Sequence, residues 1–263
     1  MKVGVIGAGV MGEALITALI SYGVNAKEIT ISEKRTDRAD ELVSRYGISV
    51  EELSDNVSAS EILLLVVKPQ DMADVLAQIS PYVKASTTVV SFAAGKKIDF
   101  ISAGLGGATP VIRVMPNTPT LVGAGMAAMS VGTGVLSAHK DFVAGFLAAT
   151  GKVVEVKEEL QDAVTATSGS GPAYFFAFVE AMIEGAMALG LSKEVATELT
   201  VQTFVGSAKL LQESGKSATT LRENVTSPNG TTAAALASFS ADDLSKLVGQ
   251  AMESARNRSI ELA

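Results

Sequence analysis

Gly7, Gly9 and Gly12 stand between an apolar run, Lys2 to Ile6, and a stretch from Val10 whose apolar residues Leu15, Ile16, Leu19 and Ile20 recur at helical spacing. The pattern G-x-G-x-x-G between a strand and a helix predicts a dinucleotide-binding turn. Gly7 permits the turn, Gly9 lets backbone approach a pyrophosphate, and Gly12 lets helix and strand pack closely. The phosphates would sit at the amino end of the helix, where unpaired N–H groups and the helix dipole favour negative charge. A second group follows. Glu33 lies about where an acidic residue would accept from the ribose hydroxyls of NAD, but Lys34 and Arg35 come directly after it. An acidic side chain there disfavours a ribose 2′-phosphate, whereas Lys and Arg bind one through charge-assisted hydrogen bonds. The two signals conflict, and a solvated basic helix start accounts for Lys34 and Arg35 equally well. The reading leans to NADPH, with NADH as the alternative. A third group, Arg222 to Thr232, gathers hydroxyls at Thr226, Ser227, Thr231 and Thr232, an amide at Asn229 and Gly230 ahead of an Ala-rich helix. Hydroxyls and N–H groups at a helix amino end can bind a carboxylate without a formal positive charge. An ordinary capped loop has the same composition.

These groups need elements to hold them. The first half alternates apolar runs with helical patterns, as a parallel sheet wrapped by helices requires. Glu28 to Ser32 reads as the second strand, with a helix over Thr36 to Tyr46. Glu61 to Val67 is continuously apolar after its first residue, which suits a central parallel strand covered on both faces. It ends in Lys68-Pro69-Gln70, at the carboxyl edge where ligands bind in doubly wound folds. Thr87 to Phe92 is the next strand, and Ala93-Ala94-Gly95 after it are small enough to admit a flat ring or ribose. Pro110 to Met115 precedes a rigid turn, Pro116-Asn117-Thr118-Pro119. Met126 to Val131 and Lys152 to Val156 complete the sheet, with a helix near Ser137 to Thr150 between them. His139, the only histidine, reads as a surface residue in that helix's first turn and not as a catalyst.

After Val156 strands disappear. Gln161 to Thr167 is a short amphipathic piece, and Ser168-Gly-Ser-Gly-Pro172 breaks and restarts the helix. Ala173 to Leu189 is apolar nearly all round, with Tyr174, Phe175, Phe176, Phe178, Val179, Met182, Ile183 and Met187. Such a helix is buried on more than one face, which here favours a subunit interface over an internal core helix. Ser192 caps the next helix, Gly215 stops it, and Ser240 with Asp243 forms a capping box for the last. The organisation expected is α/β: a Rossmann-type doubly wound sheet domain over residues 1–157, then an all-helical domain over 158–263.

Composition narrows the function. The chain has 263 residues, 48% hydrophobic, yet no apolar run of the roughly 18 residues a membrane span needs. No basic region and apolar core of a secretory signal is visible at the start, so a cytoplasmic protein without a membrane partner is expected. Without cysteine there is no disulfide framework, thiolate nucleophile or Cys-ligated zinc, and no metal site is expected. A net charge of −7 argues against a general nucleic-acid surface.

The motifs together carry a resemblance. Gly7-x-Gly9-x-Met11-Gly12, Val67-Lys68-Pro69-Gln70, Met115-Pro116-Asn117-Thr118-Pro119, Thr167-Ser-Gly-Ser-Gly-Pro-Ala-Tyr174 and Val225-Thr-Ser-Pro-Asn-Gly-Thr-Thr232 resemble those of the pyrroline-5-carboxylate reductases, over essentially the whole chain. The resemblance implies a Rossmann domain, then a helical dimerisation domain through which subunits interlock as dimers, often associating into rings. It implies a cofactor site lined by Ile6, Gly7, Ala8, Gly9, Val10, Met11, Ser32, Asn56, Val67, Lys68, Pro69, Phe92, Ala93, Ala94 and Asn224, joined by Lys34 and Arg35 from the reading above. Glu158, Gly230, Thr231 and Thr232 would line the substrate site. The family usually has Ser-Pro-Gly-Gly where this chain has Ser227-Pro-Asn-Gly230; if Asn229 must adopt positive φ there, it does so more easily than most residues but at some cost relative to Gly, and the loop's detailed shape is left open.

The implied reaction is hydride transfer from NAD(P)H to the imine carbon of 1-pyrroline-5-carboxylate, giving L-proline. The cofactor supplies the difficult step and the protein supplies orientation. An iminium carbon is already electrophilic, which agrees with the lack of a catalytic His or Cys. Thr232 is the expected catalytic residue, its hydroxyl orienting the ring nitrogen. A β-hydroxyacid dehydrogenase, the first alternative, needs a lysine on the first long helix of the second domain, and Ala173 to Leu189 has none. A cofactor-sensing module without catalysis, the second, leaves the hydroxyl-rich loop without a purpose.

Overall fold

The computed structural model describes residues 1–262; Ala263, the last residue of the expected second domain, lies outside the described residues. Along the chain run β1 (Val3–Ile6), α1 (Val10–Tyr22), β2 (Ile29–Ser32), α2 (Thr36–Tyr46), β3 (Ser49–Val50), α3 (Leu53–Ala59) and β4 (Ile62–Leu65). They are followed by α4 (Met72–Ile79), β5 (Thr88–Ser91), α5 (Ile98–Gly104), β6 (Val111–Met115), β7 (Gly125–Val131), α6 (Ser137–Ala148) and β8 (Gly151–Glu155). The helical part comprises α7 (Gln161–Val164), a π-helical turn (Thr165–Gly169), α8 (Gly171–Ala188), α9 (Lys193–Glu213), α10 (Ala218–Asn224), α11 (Thr231–Ala241) and α12 (Leu244–Glu261). Two compact units result: Met1–Pro172 with Ser254–Ala263, and Ala173–Glu253.

In the first unit eight strands form one sheet in the order β3-β2-β1-β4-β5-β6-β7-β8. Successive side chains of a strand face opposite layers, so the apolar runs feed two cores. Val3, Val5, Ile62, Leu64 and Val90 pack with Leu15, Ile16 and Leu19 of α1, Leu42 of α2 and Val143 and Phe146 of α6. Ile6, Leu63, Leu65, Val89 and Val111 pack on the other face with Val57, Met72, Val75, Leu76, Ile79 and Ile101 of α3, α4 and α5. The strand order reverses between β1 and β4, the switch point at which doubly wound sheets bind ligands.

Three sequence expectations are corrected. The sheet is not wholly parallel, because β7 runs antiparallel to β6, with Met115 opposite Ala128. The connection from Pro116 to Ala124 is too short to cross back over the sheet, so the chain reverses direction. His139 is buried, not on the surface: its Nδ1 lies 2.7 Å from the Thr88 hydroxyl at the start of β5, which gives that nitrogen a hydrogen-bond partner. The cap of α12 is Asp243 alone, whose carboxylate accepts from Lys246 N–H at 3.3 Å, while Ser240 lies inside α11. The Ser192 cap of α9 is present, with Val195 N–H donating to its hydroxyl at 3.3 Å.

In the second unit the apolar helix stays uncovered within the chain. No residue of α8 is buried, although Phe204 of α9 sits edge-on to Phe175 at 4.9 Å and to Phe178 at 5.9 Å. Phe176 is 57% exposed. A contiguous apolar face of this kind marks a protein–protein surface.

Candidate active site

The sheet register aligns the strands whose ends were expected to carry the site. Ser32, Ile6, Leu65 and Ser91, the last residues of β2, β1, β4 and β5, lie side by side as Ile6↔Ser32, Ile6↔Leu65 and Leu65↔Ser91. Backbone bonds carry the alignment into the loops, from Gly7 N–H to Ser32 O at 3.1 Å, Val66 N–H to Ile6 O at 2.9 Å and Phe92 N–H to Leu65 O at 3.0 Å. Of the expected cofactor residues, Gly7 to Met11, Ser32, Val67 to Pro69 and Phe92 to Ala94 are thereby gathered at one edge. Lys68 is exposed there, and Ala93 is buried.

The glycine turn has the geometry its spacing predicts. Gly7 has φ +88°, and a Cβ there would lie 2.6 Å from Val66 O. A Cβ on Gly12 would run into Gly7 O, so only glycine lets α1 start against the end of β1. A Cβ on Gly9 would meet nothing within 4 Å, so its face is open. Glu13 N–H is the first of α1 to find a helical partner, Gly9 O at 3.0 Å, and no side chain caps the residues before it. An open glycine and an uncapped helix start fit a pyrophosphate.

Around this turn the polar side chains are fixed. Asn56, fully buried on α3, donates from Nδ2 to Ser32 Oγ at 2.9 Å, and Ser32 Oγ donates to Glu51 O at 3.1 Å. Glu33 accepts from Ala8 N–H at 2.8 Å and from Arg35 N–H at 3.1 Å. The Lys34 and Arg35 side chains are exposed and form no ion pair among the described residues. Arg38, beyond them on α2, donates from Nε to Ala8 O at 3.1 Å and pairs with Glu13 and Glu41. Burial pushes the Glu13 carboxyl up, but hydrogen bonds from Arg38, Tyr46 and Arg45 and the Arg38 charge outweigh it and hold it below the usual range. Sequence reading missed this network, because its partners sit on two helices and meet only after folding.

Glu158, the expected substrate residue of the first unit, accepts from Ile98 N–H at the start of α5 through Oε1 at 2.7 Å. Arg113 lies 3.5 Å from the same oxygen and, through its other terminal nitrogen, 3.5 Å from Asp162. Arg113 is 3% exposed on β6 and was also missed, although a charge within Val-Ile-Arg-Val-Met was a visible signal of a buried ion pair. Asn117 of the Pro-Asn-Thr-Pro turn donates to Ser168 O at 3.1 Å and accepts from Met126 N–H at 2.8 Å, bracing the π-helical turn. Such turns often accompany functional sites.

In the second unit the hydroxyl-rich loop becomes a turn and a helix start. Ser227 O accepts from Gly230 N–H at 3.0 Å, Pro228 follows Ser227, and Asn229 has φ +59°, as a type II turn requires. Gly230 then occupies the N-cap of α11 with no side-chain cap, and Ala234 N–H is the first to bond, to Gly230 O at 3.1 Å. The N–H groups of Thr231 and Thr232 stand at the uncapped end, beside their hydroxyls. Asn224 ends α10 and is exposed.

Comparison with known proteins agrees with these features. A model for pyrroline-5-carboxylate reductase dimerisation matches residues 158–262, and one described as NADP oxidoreductase coenzyme F420-dependent matches residues 2–95. The pyrroline-5-carboxylate reductase of Pseudomonas aeruginosa is 40% identical over 264 residues, covering 100% of this chain and 97% of its own. A pyrroline-5-carboxylate reductase structure from Coxiella burnetii superposes with TM-score 0.91 at 32% identity, covering 100% of this chain and 98% of the other. The Plasmodium falciparum enzyme, solved with NADP bound, gives TM-score 0.89 at 29% identity, with coverage of 100% and 98%. From the glycine turn to the uncapped start of α11, this chain belongs to the pyrroline-5-carboxylate reductase family.

Proposed function

We propose that the protein reduces 1-pyrroline-5-carboxylate to L-proline, with NADPH as the hydride donor and NADH as a weaker one. The observation that carries the reading is a pair of uncapped helix amino ends, at α1 and α11, in a chain 40% identical over its length to a named reductase. One suits a pyrophosphate and the other a carboxylate.

When bound, the reduced nicotinamide supplies the hydride that adds to the imine carbon. The protein's part is placement and charge. The backbone of Gly9 to Met11 holds the pyrophosphate, Ser32 and Asn56 shape the adenosine side, and Lys34 and Arg35 take the 2′-phosphate. Val67 to Pro69 and Phe92 to Ala94 line the rest, and the family resemblance adds Asn224 to the cofactor residues. Gly230, Thr231 and Thr232 hold the substrate carboxylate, and the Thr232 hydroxyl orients the ring nitrogen. Glu158 has Oε1 engaged by Ile98 and Arg113, which leaves Oε2 for the substrate. A protonated imine already bears the charge that activates its carbon, so no strong protein acid is required.

The organisation that accompanies this function is a dinucleotide domain over 1–157 and a helical domain over 158–263 by which subunits interlock as dimers and associate into rings. The exposed aromatic face of α8 supports that association, and the cytoplasm is the proposed location. Mixing the purified protein with 1-pyrroline-5-carboxylate and NADPH or NADH, and following the loss of near-ultraviolet nicotinamide absorbance, tests the reading. Turnover with NADPH as the better donor is expected; measurable cofactor binding without turnover would replace the enzyme by a cofactor sensor.

A further inference from the structure

We propose that the last turn of α12, through Ser259, is a positioning element for the loop Phe92–Lys97, and so for the cofactor that loop is read to line. The inference rests on the cofactor reading above and extends it to residues at the far end of the chain.

The loop lies directly on the carboxyl-terminal turn. Gly95 is buried with φ +76°, and a Cβ there would stand 2.7 Å from Ser259 O and 2.8 Å from Leu262 Cβ. Only a residue without a side chain lets the two backbones meet this closely. Ser259 is the one buried residue of α12, at 2% exposure, and its hydroxyl donates to Asp162 Oδ1 at 2.7 Å. Asp162 lies 3.5 Å from the buried Arg113, which pairs in register with Ser91, the residue from which the loop departs. Arg113 continues to Glu158, and Glu158 accepts from Ile98 N–H, where the loop ends.

The loop is thus fastened at its start by Phe92 N–H to Leu65 O, at its middle by α12, and at its end by Glu158. Arg113 approaches both carboxylates only at 3.5 Å, so the Ser259 hydroxyl provides the shortest recorded hydrogen bond to Asp162. A partly buried carboxylate that loses such a donor shifts to recover it, and here the shift passes to the loop at Gly95 and to the arginine beneath it.

The test uses the full-length protein as wild type, Ser259→Ala and Gly95→Ala, with two readouts: the dissociation constant of NADPH from nicotinamide fluorescence, and amide hydrogen exchange without cofactor. Removing the hydroxyl should raise the dissociation constant by about fivefold, the scale of one ordinary hydrogen bond, because the lost bond acts on the cofactor only through the loop. It should also speed exchange across Phe92–Lys97 while α1 and the glycine turn keep wild-type rates. Gly95→Ala, which leaves Ser259 in place but forces the two backbones apart, should give the same local pattern. Unchanged exchange at Phe92–Lys97 in both variants would overturn the proposal, as would faster exchange spread evenly over the first unit. Should the wild type bind no NADPH, the cofactor reading fails, and the exchange pattern alone still decides whether α12 positions the loop.

Discussion

The backbone N–H of Ala8 donates to the Glu33 carboxylate across 2.8 Å, joining the glycine turn to the segment that follows β2. Arg38 holds the carbonyl of the same residue at 3.1 Å, so both polar groups of Ala8 are fixed by side chains from beyond β2. Glu33 also accepts from Arg35 N–H, and its charge is directed at backbone while Lys34 and Arg35 project outward. Glu33 therefore acts as a brace for the turn. Replacing it by Ala should lower kcat/KM for NADPH and NADH together, by about tenfold each. Loss with NADH alone would instead make Glu33 a ribose acceptor. Replacing Lys34 and Arg35 together by Ala should cost about tenfold with NADPH and leave NADH within a factor of about two, because only one coenzyme carries the 2′-phosphate.

Thr232 lies in the first turn of α11, where its hydroxyl can be removed without disturbing a cap, since Gly230 uses none. Thr232→Ala should lower kcat by about a hundredfold, the scale of losing one aligned donor in a reacting complex, with an unchanged circular dichroism spectrum. Steady-state kinetics at saturating NADPH measures it, and an unaltered kcat removes Thr232 from the chemistry.

Asn229 holds φ +59° in the turn before that helix. A residue with a Cβ and no compensating amide pays for that conformation, so Asn229→Ala should destabilise the fold by about 1 kcal/mol. Asn229→Gly should be neutral or slightly stabilising. Urea midpoints of the three proteins give the ordering.

Glu13 carries the acid sensitivity of the α1–α2 contact. Its folded pKa lies below its ordinary value of 4.5, so its contribution is present above that value and disappears as pH falls through the folded pKa. The network is partly open to solvent, with Arg45 half exposed, so the contribution is about 1 kcal/mol after screening. Glu13→Gln should accordingly lower the Tm at pH ~7, and that deficit should shrink progressively as the pH falls below 4.5 and through the folded pKa. A deficit that persists unchanged in acid would assign it to packing.

Much of the first unit was readable because buried parallel strands are written as unbroken apolar runs, and Ile62–Leu65 and Thr88–Ser91 fall inside the runs that announced them. Helices α3, α4 and α5 escaped notice because each spans only about two turns, too few for a periodic pattern to stand out. The reversed β7 was within reach, since the Pro116–Ala124 connection leaves no room for a crossover. The site divides the same way. Its glycines and its Ser-Pro-Asn-Gly turn are local and could be read in advance. Arg113 with Glu158 and Asp162, and Ser259 with Asp162, join residues far apart in the chain, and nothing short of the folded sheet shows which carboxylate each one meets.

The first compact unit takes Ser254–Ala263 from the very end of the chain. This has a bearing on synthesis. A ribosome delivers Met1 to Pro172 well before it delivers Ser259, so the nascent dinucleotide-binding part must wait, with the Gly95 surface and the Asp162 carboxylate still wet, until the segment that follows the second unit has emerged. A chain terminated before Ser254 would therefore carry an unfinished first unit.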